Sequence, residues 1–266
     1  MTPCSLRFIS FLAPNMLSVY AFVAGYVAER LGVTTELTVG ASYDEVAERM
    51  DVGFLCGLAY VELVRDGLCP MEPIAAPVLG AQRYAGRPIY YSDVIVRHDS
   101  PFQSFADLRG RSWSFNEPYS HSGYGIARYH LLRLGETNGY FGAVIEAGWH
   151  ERSIRLVCAG EVDASAIDSQ VLAVALRDRP ELAGQLRVLD SLGPSTIQPV
   201  VAARHLPASL KDELRAVLLE MGCDPVARAR LAHGLVQGFA AVDDSSYDDI
   251  RRMRDACADA DFLTLR

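Results

Sequence analysis

Lysine occurs only once in the 266 residues, at Lys211, and 25 basic side chains face 33 acidic ones, leaving a formal charge of -8. That balance excludes a basic surface able to grip nucleic-acid phosphates or anionic lipid regardless of sequence. The six cysteines, Cys4, Cys56, Cys69, Cys158, Cys223 and Cys257, contain no CxxC spacing, which argues against a zinc knuckle or a thioredoxin-like pair. With apolar flanks, as in RLVCAG around Cys158, they read as free thiols of a reducing compartment. No HExxH occurs, and His98, His130, His205 and His233 are not spaced as ligands on one helix face, so neither a metal nor a cofactor is expected.

Long apolar runs are also missing. The stretch from Met16 to Ala28, MLSVYAFVAGYVA, falls short of the roughly 20 residues a membrane span needs. It follows a single basic residue, Arg7, and passes straight into Glu29-Arg30 with no small-residue cleavage site, so it reads as a buried helix and not an export signal. A cytoplasmic location is expected for the sequence as written, and a periplasmic one if a leader has been removed.

What is present is core material: half of the residues are hydrophobic and 22% are charged. That composition makes a folded chain, and the length suits either two lobes or one large barrel. Along the chain, strand-like and helix-like stretches alternate. LRFIS is followed by the helix from Pro14 to near Gly32, and TTELTV by a helix that Ser42 caps with Glu45 three residues on. DVGFLCG then precedes a helix to Arg65. PIYYSDVIVRHDS is a long crossing strand, RSWSFN a short one, and Pro118 with Ser120 opens a helix through Leu134. ERSIRLVCAG, VDASAID and the stretch from Ser169 to Arg177 continue the rhythm. LRVLDSLG and IQPVVAAR are strands about a turn at Pro194-Ser195, after which the chain reads as mainly helical. The expectation is an α/β fold with mixed sheets and helices on both faces.

The segment SFNEPYSHSGYGIARYHLLRLG is the most informative. A strand ends at Asn116 and a helix starts near Ser120 to Ser122, where free backbone N–H groups, the positive end of the helix dipole and two hydroxyls suit an oxyanion. Taken alone, Ser120 reads first as an ordinary N-cap, and its neighbours have to decide for a ligand. Ser120, His150 and Asp168 also invite a hydrolase reading as nucleophile, base and orienter, but SHSGY is not the GxSxG elbow. GYGIAR has Arg128 where a dinucleotide fingerprint needs its third glycine.

Four segments carry a resemblance: DVGFLCGLAYVEL, IYYSDVIVRHDSPFQSFADLRGRSWSFNEPYSHSGY, HERSIRLVCAGEVDASAIDS and LRVLDSLGPSTIQPVVAAR. In this order the chain resembles the PhnD-like phosphate/phosphonate/phosphite substrate-binding proteins of ABC transporters, which have the type 2 periplasmic-binding fold. The resemblance implies two lobes, residues 1–91 with 193–266 and residues 92–192, joined by two hinge crossings, with a small anion captured between them on closure for ABC-type uptake. It implies an anchor at Ser120, His121 and Ser122, with His150, Asp168, Tyr43 and Tyr90 lining the ligand; Tyr60 and Tyr91 are weaker candidates. His121 replaces the middle threonine of the family's Ser-Thr-Ser, and Cys56-Gly57 replaces Gly-Pro. Gln198 stands where aminophosphonate-binding members carry a carboxylate. About four hydrogen bonds to an anion at roughly 1.5 to 3 kcal/mol each reach the roughly 8 kcal/mol of micromolar binding with no lysine or arginine in the site.

The expected partners are a small anionic ligand and either an ABC permease or a regulatory protein, with no nucleic acid, no membrane span and a monomeric state. The alternative on the same fold is a cytoplasmic ligand sensor or precursor-supplying protein with no transporter attached. No catalytic activity is expected.

Overall fold

The computed structural model describes residues 5–67 and 70–266. Its chain divides into two compact units, the first made of residues up to Ile89 with Thr196–Asp248 and the second of Tyr90–Ser195 with Asp249–Arg266. Cys4 and Cys69 lie outside the described residues; Cys56, Cys158, Cys223 and Cys257 are free thiols.

The first unit opens with β1 (Ser5–Ser10), α1 (Leu17–Leu31), β2 (Thr34–Val39), α2 (Asp44–Arg49), β3 (Val52–Phe54), α3 (Gly57–Arg65) and β4 (Met71–Leu79). The run expected to be a buried helix is α1. Val19, Val23 and Val27 repeat at i, i+4 and i+8 and are all buried, and Gly32 ends the helix in the left-handed conformation at φ 65°. The cap expected from Ser42 is shifted: α2 starts after Tyr43, which is its N-cap and forms no side-chain cap, while Ser42 Oγ accepts from Asp44 N–H at 3.2 Å and Glu45 Oε1 accepts from the Ala41 and Ser42 N–H groups at 2.9 and 3.1 Å.

The second unit contributes β5 (Ile89–Arg97), β6 (Ser112–Phe115), α4 (Ile126–Arg133), β7 (Ala143–Glu146), α5 (His150–Ala159), β8 (Ala164–Asp168), α6 (Ser169–Asp178) and β9 (Leu186–Thr196). Its five strands run in the order β7-β6-β8-β5-β9, with β6 parallel to β7 and β8, and β5 antiparallel to β8. Trp113 of β6 is wholly buried and stacked on Phe141, ring centroids 4.6 Å apart. The turn expected at Pro194-Ser195 is instead part of β9. β9 is an edge strand, where a proline's missing N–H breaks no ladder that the sheet needs.

The chain returns to the first unit as β10 (Val200–Ala203), α7 (Ala208–Glu220), α8 (Pro225–Leu231) and β11 (Val236–Ala240). The six strands are ordered β11-β4-β10-β3-β1-β2, parallel from β3 through β1 to β2 and antiparallel across β10 and β11. β11 and β7 were not anticipated. VQGFA carries a mid-strand glycine and AVIE is only partly buried, so neither has the alternation that marks a strand.

The final helix α9 (Asp248–Asp259) and the tail after it correct the expected lobe assignment, because residues from Asp249 onward pack in the second unit. Phe262 and Leu265 enter the core cluster around Trp113, and the Arg128 guanidinium donates to the carbonyls of Phe262 and Leu263 at 3.1 and 2.7 Å. Each buried apolar side chain there contributes about 1.5 to 3 kcal/mol, which a solvated polar helix alone would not supply.

Candidate functional site

β6 delivers the chain at Phe115, and after Glu117-Pro118 the backbone turns into a helical run that begins as a wide π-type segment, His121–Gly125, and continues as α4. Ser120 is its N-cap, with Oγ accepting from Gly123 N–H at 3.1 Å, while its carbonyl accepts from Gly125 N–H at 2.9 Å. π segments of this kind leave first-turn donors without intrahelical partners. Gly123 is required here: a Cβ at that position would stand 2.1 Å from Asn116 Oδ1, a buried atom that has no hydrogen-bond partner.

The two hydroxyls expected to anchor an anion are neighbours, with Ser120 Oγ 3.5 Å from Ser122 Oγ. Ser122 Oγ is also 3.0 Å from Nε2 of His150, the first residue of α5. His121 sends its ring the other way, to Ser195 Oγ at 2.9 Å, and its centroid lies 6.4 Å from the Tyr90 ring. Ser120, His121, Ser122, His150, Tyr90 and Ser195 are all buried. The second unit therefore gathers five of the expected residues, Asp168 aside, and adds Ser195, which no motif had flagged. It lies 74 positions from His121, a separation that only the sheet closes.

Burial, with the Arg128 guanidinium adding to it, pushes the His121 imidazole down to about 3, and burial pushes His150 down to about 4. Both rings are neutral near pH 7. The pair of hydroxyls thus stands at a helix start with the neutral His150 ring against one of them, an arrangement of donors without fixed negative charge on the rings or hydroxyls that suits an anion.

Asp168 has a local task. As N-cap of α6 it accepts from the Gln170 and Val171 N–H groups at 2.7 and 3.2 Å. The serine on His150 is Ser122 and not Ser120, and His150 Nδ1 makes no hydrogen bond. The Ser-His-Asp arrangement that a hydrolase needs is consequently not assembled. Tyr43 and Gln198 belong to the first unit. Tyr43 precedes α2 and stacks on Phe11 with centroids 4.6 Å apart, and Gln198 is half-buried between β9 and β10. Of the weaker candidates, Tyr60 is buried and bonded to Asp244, while the Tyr91 N–H donates to Ser169 Oγ at 3.1 Å. Among the described residues, no group of His, Cys, Asp and Glu side chains is placed to hold a metal, and no helix is long and apolar enough to cross a membrane.

A family model described as ABC transporter, phosphonate, periplasmic substrate-binding protein matches residues 9–247. The chain is similar to the phosphonates-binding periplasmic protein of Escherichia coli (strain K12), 25% identical over 237 residues that cover 85% of this chain and 68% of that protein. In structure it is similar to PhnD1 of Prochlorococcus marinus (MIT 9301) in complex with methylphosphonate, with a TM-score of 0.82 at 18% identity, covering 98% of this chain and 99% of that one. It is also similar to a binding protein component of an ABC phosphonate transporter from Pseudomonas aeruginosa, with a TM-score of 0.81 at 20% identity, covering 95% and 86% of the two chains. At these identities the structural likenesses establish the fold, and the family match rests on the sequence.

Proposed function

We propose, for a chain that belongs to the periplasmic phosphonate substrate-binding family of ABC transporters and has the type 2 periplasmic-binding fold, that it captures a small phosphonate-, phosphite- or phosphate-like oxyanion on the Ser120–Ser122 turn for ABC-type uptake. The family is one of binding proteins for transport and not of enzymes. One observation carries the ligand reading: two buried hydroxyls 3.5 Å apart stand at the start of a helical run, backed by histidines that are neutral at pH 7. A tetrahedral oxyanion presents several acceptors to these donors at once, and each hydrogen bond to its charge contributes roughly 1.5 to 3 kcal/mol.

In this reading His150 fixes the Ser122 hydroxyl and His121 with Tyr90 walls the anion. Tyr43 and Gln198 are assigned to the ligand by the family resemblance. The neutral Gln198 provides no counter-charge for an ammonium, which favours alkylphosphonates and inorganic oxyanions over aminophosphonates. Asp168 acts on the site by setting the start of α6. The protein works as a monomer in the periplasm and hands its ligand to a permease; family membership favours this over a cytoplasmic sensor.

The test is a thermal-shift and calorimetric panel of phosphate, phosphite, methylphosphonate, 2-aminoethylphosphonate, methanesulfonate and acetate. Phosphorus oxyanions are expected to bind at micromolar concentrations or tighter. Binding of carboxylates alone, or of none of the panel, overturns the reading. Fractionation of cells producing the full-length gene product checks the compartment.

A further inference from the structure

Arg128 is the one arginine or lysine buried among the described residues, at 6% exposure, and it has no carboxylate within ion-pair distance. One guanidinium nitrogen donates to the Phe262 and Leu263 carbonyls, the group lies 4.6 Å above the Tyr124 ring, and Nε has no partner at all. A cation taken from water without a counter-charge is expensive to keep. The buried carboxylates, Asp51, Asp93 and Asp168, are not paired with it.

Its position relative to the anchor is informative. Arg128 and Tyr124 lie on one side of the helical run that Ser120 caps, the guanidinium stacked over the Tyr124 ring and both side chains bonded to the Leu263 carbonyl, and the charge acts electrostatically on the buried His121 ring at the start of that run. Six residues of helix separate Ser122 from Arg128, roughly 9 Å of rise. Helical side chains lean back toward the N-terminus, and the guanidinium does so, lying over Tyr124 one turn earlier.

We propose that Arg128 is the counter-charge of the oxyanion held at Ser120 and Ser122, fixed in place by the C-terminal tail and acting through the low-dielectric interior without touching the ligand. The inference rests on the anion-capture reading above and deepens it. At roughly 9 Å and an effective dielectric constant of about 20, a unit charge changes the affinity for a monoanion about twentyfold, and for a dianion by more. The tail thereby has a function in binding: its carbonyls hold the cation beneath the site.

The test is calorimetric titration of inorganic phosphate, below and above its second ionisation, into the wild type, Arg128→Gln and Arg128→Lys. Gln keeps a donor for the tail carbonyls and removes the charge, whereas Lys keeps the charge. Arg128→Gln is expected to weaken phosphate at least tenfold, and more for the dianion than for the monoanion, while Arg128→Lys stays within about threefold of the wild type. Equal affinity of Arg128→Gln and wild type overturns the proposal, as does a loss shared by both variants and independent of the charge on phosphate. If Arg128→Gln does not fold, Arg128→Lys decides: retention supports the proposal and a tenfold loss overturns it. A wild-type protein that binds neither phosphate nor methylphosphonate marks failure of the anion-capture reading itself, which is a distinct outcome from binding that ignores Arg128.

Discussion

Ser122 Oγ lies 3.0 Å from His150 Nε2, while the other ring nitrogen of His150 is buried without a partner. The histidine thus does a single visible job, which is to orient one hydroxyl of the helix start. Its low basicity follows from the same burial. A protonated ring would add a buried charge, and the neutral ring leaves a hydroxyl aimed by one hydrogen bond.

Replacing both Ser120 and Ser122 by alanine removes the two hydroxyls proposed to donate to the ligand. At roughly 1.5 to 3 kcal/mol per charge-assisted bond, phosphate or methylphosphonate affinity is expected to fall more than about a hundredfold. Loss of the Ser120 cap costs about 1 kcal/mol of stability, so the variant stays folded. Calorimetry and a urea melt read the two effects separately; unchanged affinity removes the serines from the site.

Stability is expected to fall as the pH drops below about 6.5. In the unfolded chain each histidine takes up its proton near 6.5, but in the folded protein His150 does so only near 4 and His121 only near 3. Over that window the unfolded state binds more protons, and stability declines with a slope of about 1.4 kcal/mol per pH unit for each ring. Urea denaturation of the wild type and His150→Gln between pH 4.5 and 7, set against roughly that slope, should show the variant losing one proton's share. Identical slopes would remove His150 from the effect.

Gly123→Ala drives a methyl group into Asn116 Oδ1, 2.1 Å from the ideal Cβ position. Asn116 is nearly buried, so relief requires the strand end or the helix start to shift, at a cost of about 1 to 3 kcal/mol. Because the same turn carries Ser122, ligand affinity is expected to fall together with the thermal midpoint. A variant that keeps both would show that the turn absorbs the methyl group.

Phe262→Ala probes whether the tail is integral to the second unit. Phe262 is 1% exposed within the Trp113 cluster, and truncating such a side chain costs about 3 to 5 kcal/mol. Denaturation followed by tryptophan fluorescence should show that loss. A change below about 1 kcal/mol would make the tail a surface strap.

Most of the strand and helix order, β7 and β11 aside, the buried nature of α1 and the helix start at Ser120 to Ser122 were legible in the sequence. Each depends on residues within a few positions of one another, through side-chain period, turn chemistry and caps. Family membership was legible for the same reason, since each of its four segments is a continuous local run of strands, turns and helices.

The tertiary structure decided the rest. It chose Ser122 over Ser120 as the partner of His150, brought Ser195 to His121, committed Asp168 to the start of α6 and moved the C-terminal tail into the second unit. These pairings span from 28 to 135 residues, with the sole exception of the Asp168 cap. Local periodicity shows that a residue will be buried, but its partner depends on which strands become neighbours. Arg128 is the clearest case: in sequence it only spoiled a glycine motif, and its burial in the helical run that Ser120 caps exists because residues Phe262 and Leu263 fold back over α4.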